Sequence, residues 1–289
     1  MIPCNICPRQ CDAHRDSENG NGYCQMGSGM RIARIAPHMW EEPCISGSHG
    51  SGTIFFSGCS LRCAYCQNGE ISHHSRGRLY SEVQLSDAIR ALEAEGVHNI
   101  NFVTPTHYTR EILRTLRLYK PSIPVVWNTG GYELSSTISS LAGKVDIYLT
   151  DLKHYSDKMG ALCAGAPDYF AHASEALKEM CHLVGTPWYD ERGIMKKGVI
   201  VRHLVLPGLT LESMRILDWI AMNLPAGIPV SLMRQYVPLN GVSIPGLTRR
   251  ITDREYERVA RHMSELRLPG LLQEREAASS AYVPLFSDE

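Results

Sequence analysis

No stretch of this 289-residue chain is apolar for long enough to cross a bilayer. Its opening residues, MIPCNICPRQC, lack the apolar core of a secretory signal. An excess of charge of one sign is missing as well. The 29 Lys and Arg residues meet 30 Asp and Glu, for a formal net charge of -1, which gives no electrostatic reason to expect bulk binding to nucleic acid or a membrane surface. Internal repeats and low-complexity tracts are absent too. These absences together predict a cytoplasmic protein with neither a nucleic-acid nor a membrane partner. With 44% hydrophobic and 20% charged residues, the composition is that of a chain able to bury a substantial core without disulfide staples.

Against that ordinary background, 10 cysteines stand out. In a reducing compartment they read as metal ligands or buried apolar residues rather than disulfides. Their placement favours ligation, because one metal centre must be reached by several thiolates at once. Cys4, Cys7, Cys11 and Cys24 lie in the first stretch, Cys59, Cys63 and Cys66 follow as a tight group, and Cys44, Cys163 and Cys181 are scattered. The scattered three are most simply buried small residues.

Residues 1 to about 50 are rich in Gly, Asn, Ser and Cys, show little periodicity, and include the turn-forming run DSENGNGYC. The segment is too polar to form its own core, so a bound metal is a plausible organiser. From Gly52 the texture becomes alternating strand and helix. Short apolar strands are predicted at Thr53–Ser57, Asn99–Thr104, Pro124–Trp127, Val145–Leu149, Gly198–Leu206 and Pro229–Met233. Helices are predicted at Ser81–Glu95, Arg110–Tyr119, Leu134–Leu141, Tyr169–Leu183, Leu211–Met222 and Asp253–Leu266. Six successive strand–helix pairs favour parallel strands with right-handed crossovers. Six units fall short of a closed eight-fold barrel, so the expected fold is α/β, a partial (β/α)6 TIM-type barrel with an irregular Cys-rich N-terminal segment. A doubly wound flat sheet is the competing architecture. The predicted division is a leader over 1–50, the barrel over 51–267 and a tail over 268–289. Loops after the strands are then expected to carry the chemistry.

The first such loop is SGCSLRCAYCQN, with Cys59, Cys63 and Cys66 in C-x3-C-x2-C spacing directly after a strand. Three thiolates can hold three irons of a [4Fe-4S] cubane and leave the fourth iron open, and an open coordination position is what separates a catalytic from a structural metal site. The S-adenosylmethionine (SAM) amino and carboxylate groups can chelate that iron. A zinc site or three coincidental thiols are the alternatives, but no second C-x2-C knuckle follows to complete a zinc set.

The C-x3-C-x-aromatic-C text is the signature of the radical SAM superfamily. The surrounding SGTIFFSGCSLRCAYCQNGEIS resembles the pyruvate formate-lyase-activating-enzyme-like branch. The likeness extends through WEEPCISGSHGSG, NINFVTPTHY, VDIYLTDLKHY, VRHLVLPG and SLMRQYVP, and so covers nearly the whole chain. The resemblance implies an oxidoreductase that reductively cleaves SAM to a 5′-deoxyadenosyl radical for hydrogen abstraction, with an external low-potential electron donor. It also implies that Tyr65 helps seat the SAM adenine. Where relatives carry a Gly-Gly-Glu-type strand end, this chain has Thr104-Pro105-Thr106-His107, leaving Thr104 and Thr106 as oxygen acceptors for an ammonium. Asn128 and Thr129 stand at the Asp-Thr-Asn-Gly-type turn and Asp151 and Lys153 at the Asp-x-Lys, all lining the SAM pocket by similarity. Arg202 matches an arginine near the SAM carboxylate, a ligand its guanidinium fork suits. The bland alternatives are a surface pair for Asp151 and Lys153 and a helix cap for Arg202. His73 and His74 read as a solvated pair, and Trp188 and Tyr189 as either a substrate lid or packing.

The leader set, Cys4, Cys7, Cys11 and Cys24, offers four thiolates and hence a closed site for a second Fe-S cluster or zinc. It resembles the cysteine-rich leader of this branch. Three functions follow for testing: activation of a glycyl-radical enzyme, with a protein or peptide substrate; radical modification of a small molecule or peptide side chain; and a non-catalytic metal-binding scaffold.

Overall fold

The computed structural model describes residues 4–238, 242, 244–273 and 286. All six predicted strands form. They are β2 (Ser51–Phe56), β4 (Ile100–Val103), β5 (Val125–Thr129), β6 (Ile147–Asp151), β8 (Met195–Leu204) and β9 (Val230–Met233), each parallel to its neighbour. A short β10 (Gly270–Leu272) extends the parallel run beside β9. At the other edge β1 (Met30–His38) pairs antiparallel with β2, and β3 (Arg78–Tyr80) with β1. The sheet order is β10-β9-β8-β6-β5-β4-β2-β1-β3, with the edges unpaired to each other, so the barrel is open and mostly parallel. The two-residue β7 (Trp188–Tyr189) pairs only with the start of β8.

Every residue of β2, β4, β5, β6 and β9 is buried, as both-sided coverage of parallel strands requires. Alternate residues serve two different cores. Ile54, Phe56, Phe102, Trp127, Tyr148, Val201 and Leu232 pack outward among helix residues such as Leu85, Ile89, Ile112, Leu177, Ile216 and Val259. Val126, Ile147, Leu149 and Ile200 belong to a separate cluster with Met195 and Ile45.

Ile45 comes from an unpredicted helical turn, α1 (Pro43–Ser46), and is fully buried. Residues 39–50 therefore enter the concave side of the sheet, and α1 plugs it. This revises the aperiodic reading of the first 50 residues, which also contain the nine-residue β1. Polar and charged residues mask the apolar alternation in MRIARIAPH, and a one-turn helix is too short to show a period.

The predicted helices appear as α3 (Glu82–Ala94), α4 (Thr109–Leu118), α5 (Ser135–Ser139), α7 (Tyr169–Val184), α8 (Thr210–Asn223) and α9 (Asp253–Glu265). α3 starts in a capping box, Ser81 accepting from the Gln84 backbone and Gln84 reciprocating. Thr252 and Glu255 do the same for α9. Two further helices form, α2 (Gly69–Ser72) after the cysteine loop and α6 (Asp157–Ala164). The local signals for α6 are present: a Ser156 cap on Met159 N and a left-handed Gly165 at its end, φ 57°. The predicted tail lies largely outside the described residues. Phe286 is described, and packs against Phe55, Ile71 and Val103.

Candidate radical-cofactor site

The loop after β2 places Cys59, Cys63 and Cys66 along one wall of a cavity of about 420 Å³ at the C-terminal ends of the strands. Local hydrogen bonds set the loop. Leu61 N–H donates to Cys59 Sγ at 3.3 Å, Ser72 Oγ to Cys66 Sγ at 3.3 Å, and Cys66 N–H to the Cys63 carbonyl at 3.0 Å. Burial pushes the Cys63 and Cys66 thiols up; neighbouring thiols add to this, while Lys153 opposes it. Bare thiols here are held protonated, and a bound metal is the kind of partner that would ionise them. Among the described residues, no group of three or more His, Cys, Asp or Glu side chains is already drawn into a metal cage. The fit of a cluster rests instead on three soft donors lining one cavity, with charged side chains lining the same cavity.

The rest of the lining is built largely from strand ends. Arg202 donates from Nε to Asp151 Oδ1 at 2.9 Å, from one terminal nitrogen to Asn128 Oδ1 at 2.6 Å, and from the other to Glu41 Oε2 at 3.4 Å. Lys153 Nζ bonds Asp151 Oδ2 at 2.5 Å. The register that sets Asp151 opposite Arg202 makes this pairing automatic. Burial would raise Asp151, but Arg202 and Lys153 outweigh it and hold its carboxyl below the ordinary range. Asp151, Lys153 and Arg202 are mostly buried and lie on the cavity, so they form neither a surface pair nor a helix cap.

Asn128, Thr129 and Gly130 line the same cavity. Gly131 cannot be otherwise: at φ 83° a Cβ there would sit 2.2 Å from the Asp151 carbonyl oxygen. Tyr65 is buried on the wall; its hydroxyl pairs with His154 Nε2 at 3.1 Å and its ring meets Tyr236 edge-on at 6.0 Å. Thr104 lines the cavity with φ 57°, an uncommon conformation for a β-branched residue. Thr106 lies behind the wall, donating to Glu133 Oε1 at 2.7 Å alongside Thr129 at 2.6 Å. His107 is also buried away from the cavity, on the Ser57 carbonyl at 2.7 Å, and burial then Arg15 push it down to about 3. Trp188 and Tyr189 are exposed beside the start of β8 and do not line the cavity.

Two acids on the wall were missed from sequence. Glu41 is held by Asn101 Nδ2 and Asn128 Nδ2, each at 3.1 Å, and by Arg202. Glu42 lies beside it. Burial raises both, with Arg202 opposing. The available signal was the run WEEP, two adjacent acids before a proline in an otherwise turn-rich segment.

The leader packs on the cluster loop. Arg9 donates to the Ser60 carbonyl at 2.8 Å and to the Ala164 carbonyl at 2.7 Å, and its guanidinium lies 3.8 Å over the Tyr23 ring. Cys4 is buried, Cys7 and Cys24 are half-buried and Cys11 is exposed. Burial raises the Cys7 and Cys24 thiols; Cys24 and Cys4 act on Cys7, and Cys4 and Cys11 on Cys24, so the four are electrostatic neighbours. No helix among the described residues is long and apolar enough to cross a membrane.

Residues 53–220 match the family model described as Radical SAM superfamily. An uncharacterized protein of Methanocaldococcus jannaschii, MJ0674, is 31% identical over 266 residues, covering 88% of this chain and 72% of its own. Among solved structures, a radical SAM methyltransferase from Sphaerobacter thermophilus superposes with TM-score 0.50 at 17% identity, over 76% of this chain and 66% of the other. Streptococcus suis SuiB bound to the precursor peptide SuiA superposes with TM-score 0.52 at 16% identity, over 76% and 47%. At these identities the likeness to both solved structures is one of fold.

Proposed function

The chain belongs to the radical SAM superfamily, and from that footing we propose that it cleaves SAM reductively at a [4Fe-4S] cluster held by Cys59, Cys63 and Cys66 and abstracts hydrogen from a protein or peptide, as glycyl-radical-enzyme activases do. The observation that carries this is one cavity lined by the three cysteines together with Asp151, Lys153 and Arg202. When bound, cluster and SAM together supply a 5′-deoxyadenosyl radical. The chain's own residues do the holding. Arg202 and Lys153 face the cavity with N–H donors for a carboxylate, Asn128 and Thr104 offer oxygens to an ammonium, and Tyr65 gives an aromatic wall for an adenine. Thr129 lines the cavity, and Thr106 acts behind it by bracing Glu133. The electron comes from an external low-potential donor.

We further propose that Cys4, Cys7, Cys11 and Cys24 form a closed site for zinc or a second Fe-S cluster, pinned to the catalytic loop by Arg9. Radical modification of a small molecule or a peptide side chain is the second reading, favoured by the two acids in the cavity lining, which a backbone hydrogen donor has no need of.

Anaerobic reconstitution with iron and sulfide counting, then assay for 5′-deoxyadenosine on dithionite addition, tests the proposal. Cys59→Ala, Cys63→Ala or Cys66→Ala should abolish 5′-deoxyadenosine and remove one cluster's iron. Cys7→Ser with Cys24→Ser should remove the zinc or the second cluster's iron while 5′-deoxyadenosine persists. Unchanged product from the first set sinks the assignment. A glycyl radical signal on mixing with a candidate partner separates the activase reading from the second.

A further inference from the structure

Three carboxylates and two cations are buried together in the cavity wall: Asp151, Glu41 and Glu42 against Lys153 and Arg202. The four other than Glu42 are accounted for by each other and by Asn101 and Asn128. Glu42 is left over. It is 8% exposed and interacts with Ser231 on β9, yet its Oε2 is buried without any hydrogen-bond partner. The Asn101 Oδ1 atom, on the side chain that holds Glu41, is a second buried acceptor without a partner. A buried carboxylate oxygen with nothing to accept from is costly, and of the two orphans Glu42 is the one that lines the cavity. The missing group is an N–H donor carrying positive charge.

The backbone fixes this arrangement. The Glu42 carbonyl accepts from Ile45 N–H at 2.7 Å and Ser46 N–H at 3.0 Å, and fully buried Ile45 seats the turn in the sheet. The Glu41 carboxylate is held by Asn101, Asn128 and Arg202, and Glu42 is 8% exposed. The SAM nitrogen already has acceptors assigned to it in Asn128 and Thr104, which leaves Glu42 for a different cation. Above the acids, the wall continues through Ser231 and Gln235, with Gln235 bonded to Gln67 and Gln273, a polar surface that would guide rather than bury a ligand.

We propose that Glu42 anchors a cationic nitrogen, a primary ammonium or guanidinium, on the substrate that loses hydrogen. This rests on the radical SAM reading above and narrows its substrate class. A neutral donor could satisfy the Glu42 oxygen but would leave the third carboxylate's charge without a counter-charge.

The test is equilibrium dialysis with the reconstituted, SAM-saturated full chain. The probes are N-acetyl tripeptide amides Gly-Lys-Gly and Gly-Arg-Gly, each against its neutral isostere containing norleucine or citrulline. One charged probe should bind about 10- to 100-fold tighter than its isostere, the range of a charge-assisted bond. Glu42→Gln should shrink that preference to less than about twofold, and Glu42→Asp should keep part of it with the thermal midpoint as the check on folding. No preference in the unaltered protein overturns the inference. So does a Glu42→Gln variant that keeps the preference but binds SAM more weakly, since the carboxylate would then belong to the SAM ammonium. The radical reading is judged separately, by whether SAM changes the spin-resonance signal of the reduced cluster in the same sample.

Discussion

Replacing Arg202 with methionine keeps most of the side chain's length and removes the one cation that touches both Asp151 and Glu41. Removing one partner of a buried ion pair costs about 3–5 kcal/mol, because it strands the other charge. Here the cost should depend on pH, and the sign follows from the two acids. Asp151 is held below its ordinary value, so it contributes stability above the unfolded pKa that is lost as pH falls through its folded pKa. Without Arg202 that contribution shrinks. Glu41 is already raised by burial against the pull of Arg202, so without the arginine it rises further. A raised carboxylate makes stability fall as pH climbs from the unfolded value to the folded one, by about 1.4 kcal/mol for each pKa unit of displacement. The Asp151 loss is already complete above the ordinary carboxylate range and is the same at any higher pH, so it is Glu41 that widens the gap between the unaltered protein and Arg202→Met as pH increases. Urea unfolding at pH 5 and at pH 8 should therefore give a larger penalty at pH 8, by about 1.4 kcal/mol for each pKa unit that Glu41 gains in that window. Equal penalties at the two pH values would falsify the argument and leave Arg202 a packing residue only.

Two other substitutions probe how the site is held. Ile45→Ala removes the buried anchor of α1 from a cluster with Val126, Ile147, Leu149 and Ile200, and should cost about 2–5 kcal/mol in urea unfolding. A loss under about 1 kcal/mol would mean the plug does not depend on its apolar seat. Thr104→Gly relieves a left-handed threonine worth about 1–2 kcal/mol while adding backbone entropy worth about 0.5–1 kcal/mol, so stability should hold or rise by up to about 1 kcal/mol. A clear loss in the same assay would show that the Thr104 side chain packs more than it strains.

The sequence by itself determined the repeating units and the cluster loop. Strands such as TIFFS and NINFVT are short, rich in β-branched and aromatic residues, and bounded by turn residues, so their period and length are local properties of the chain. The same holds for capped helices such as α3, whose Ser81 and Gln84 lie three residues apart, and for Cys59, Cys63 and Cys66, which one loop brings together. The assembly of Asn128, Asp151 and Arg202 was legible only as three separate strand ends; parallel register put them in contact. Tertiary structure alone decided the rest. The plug formed by α1 has no period of its own and is helical because the concave face of the sheet buries Ile45. Glu41 and Glu42 become part of the site only because that plug carries them against Asn101, Asn128, Arg202 and Ser231, residues 60 or more positions away whose contact no local pattern encodes.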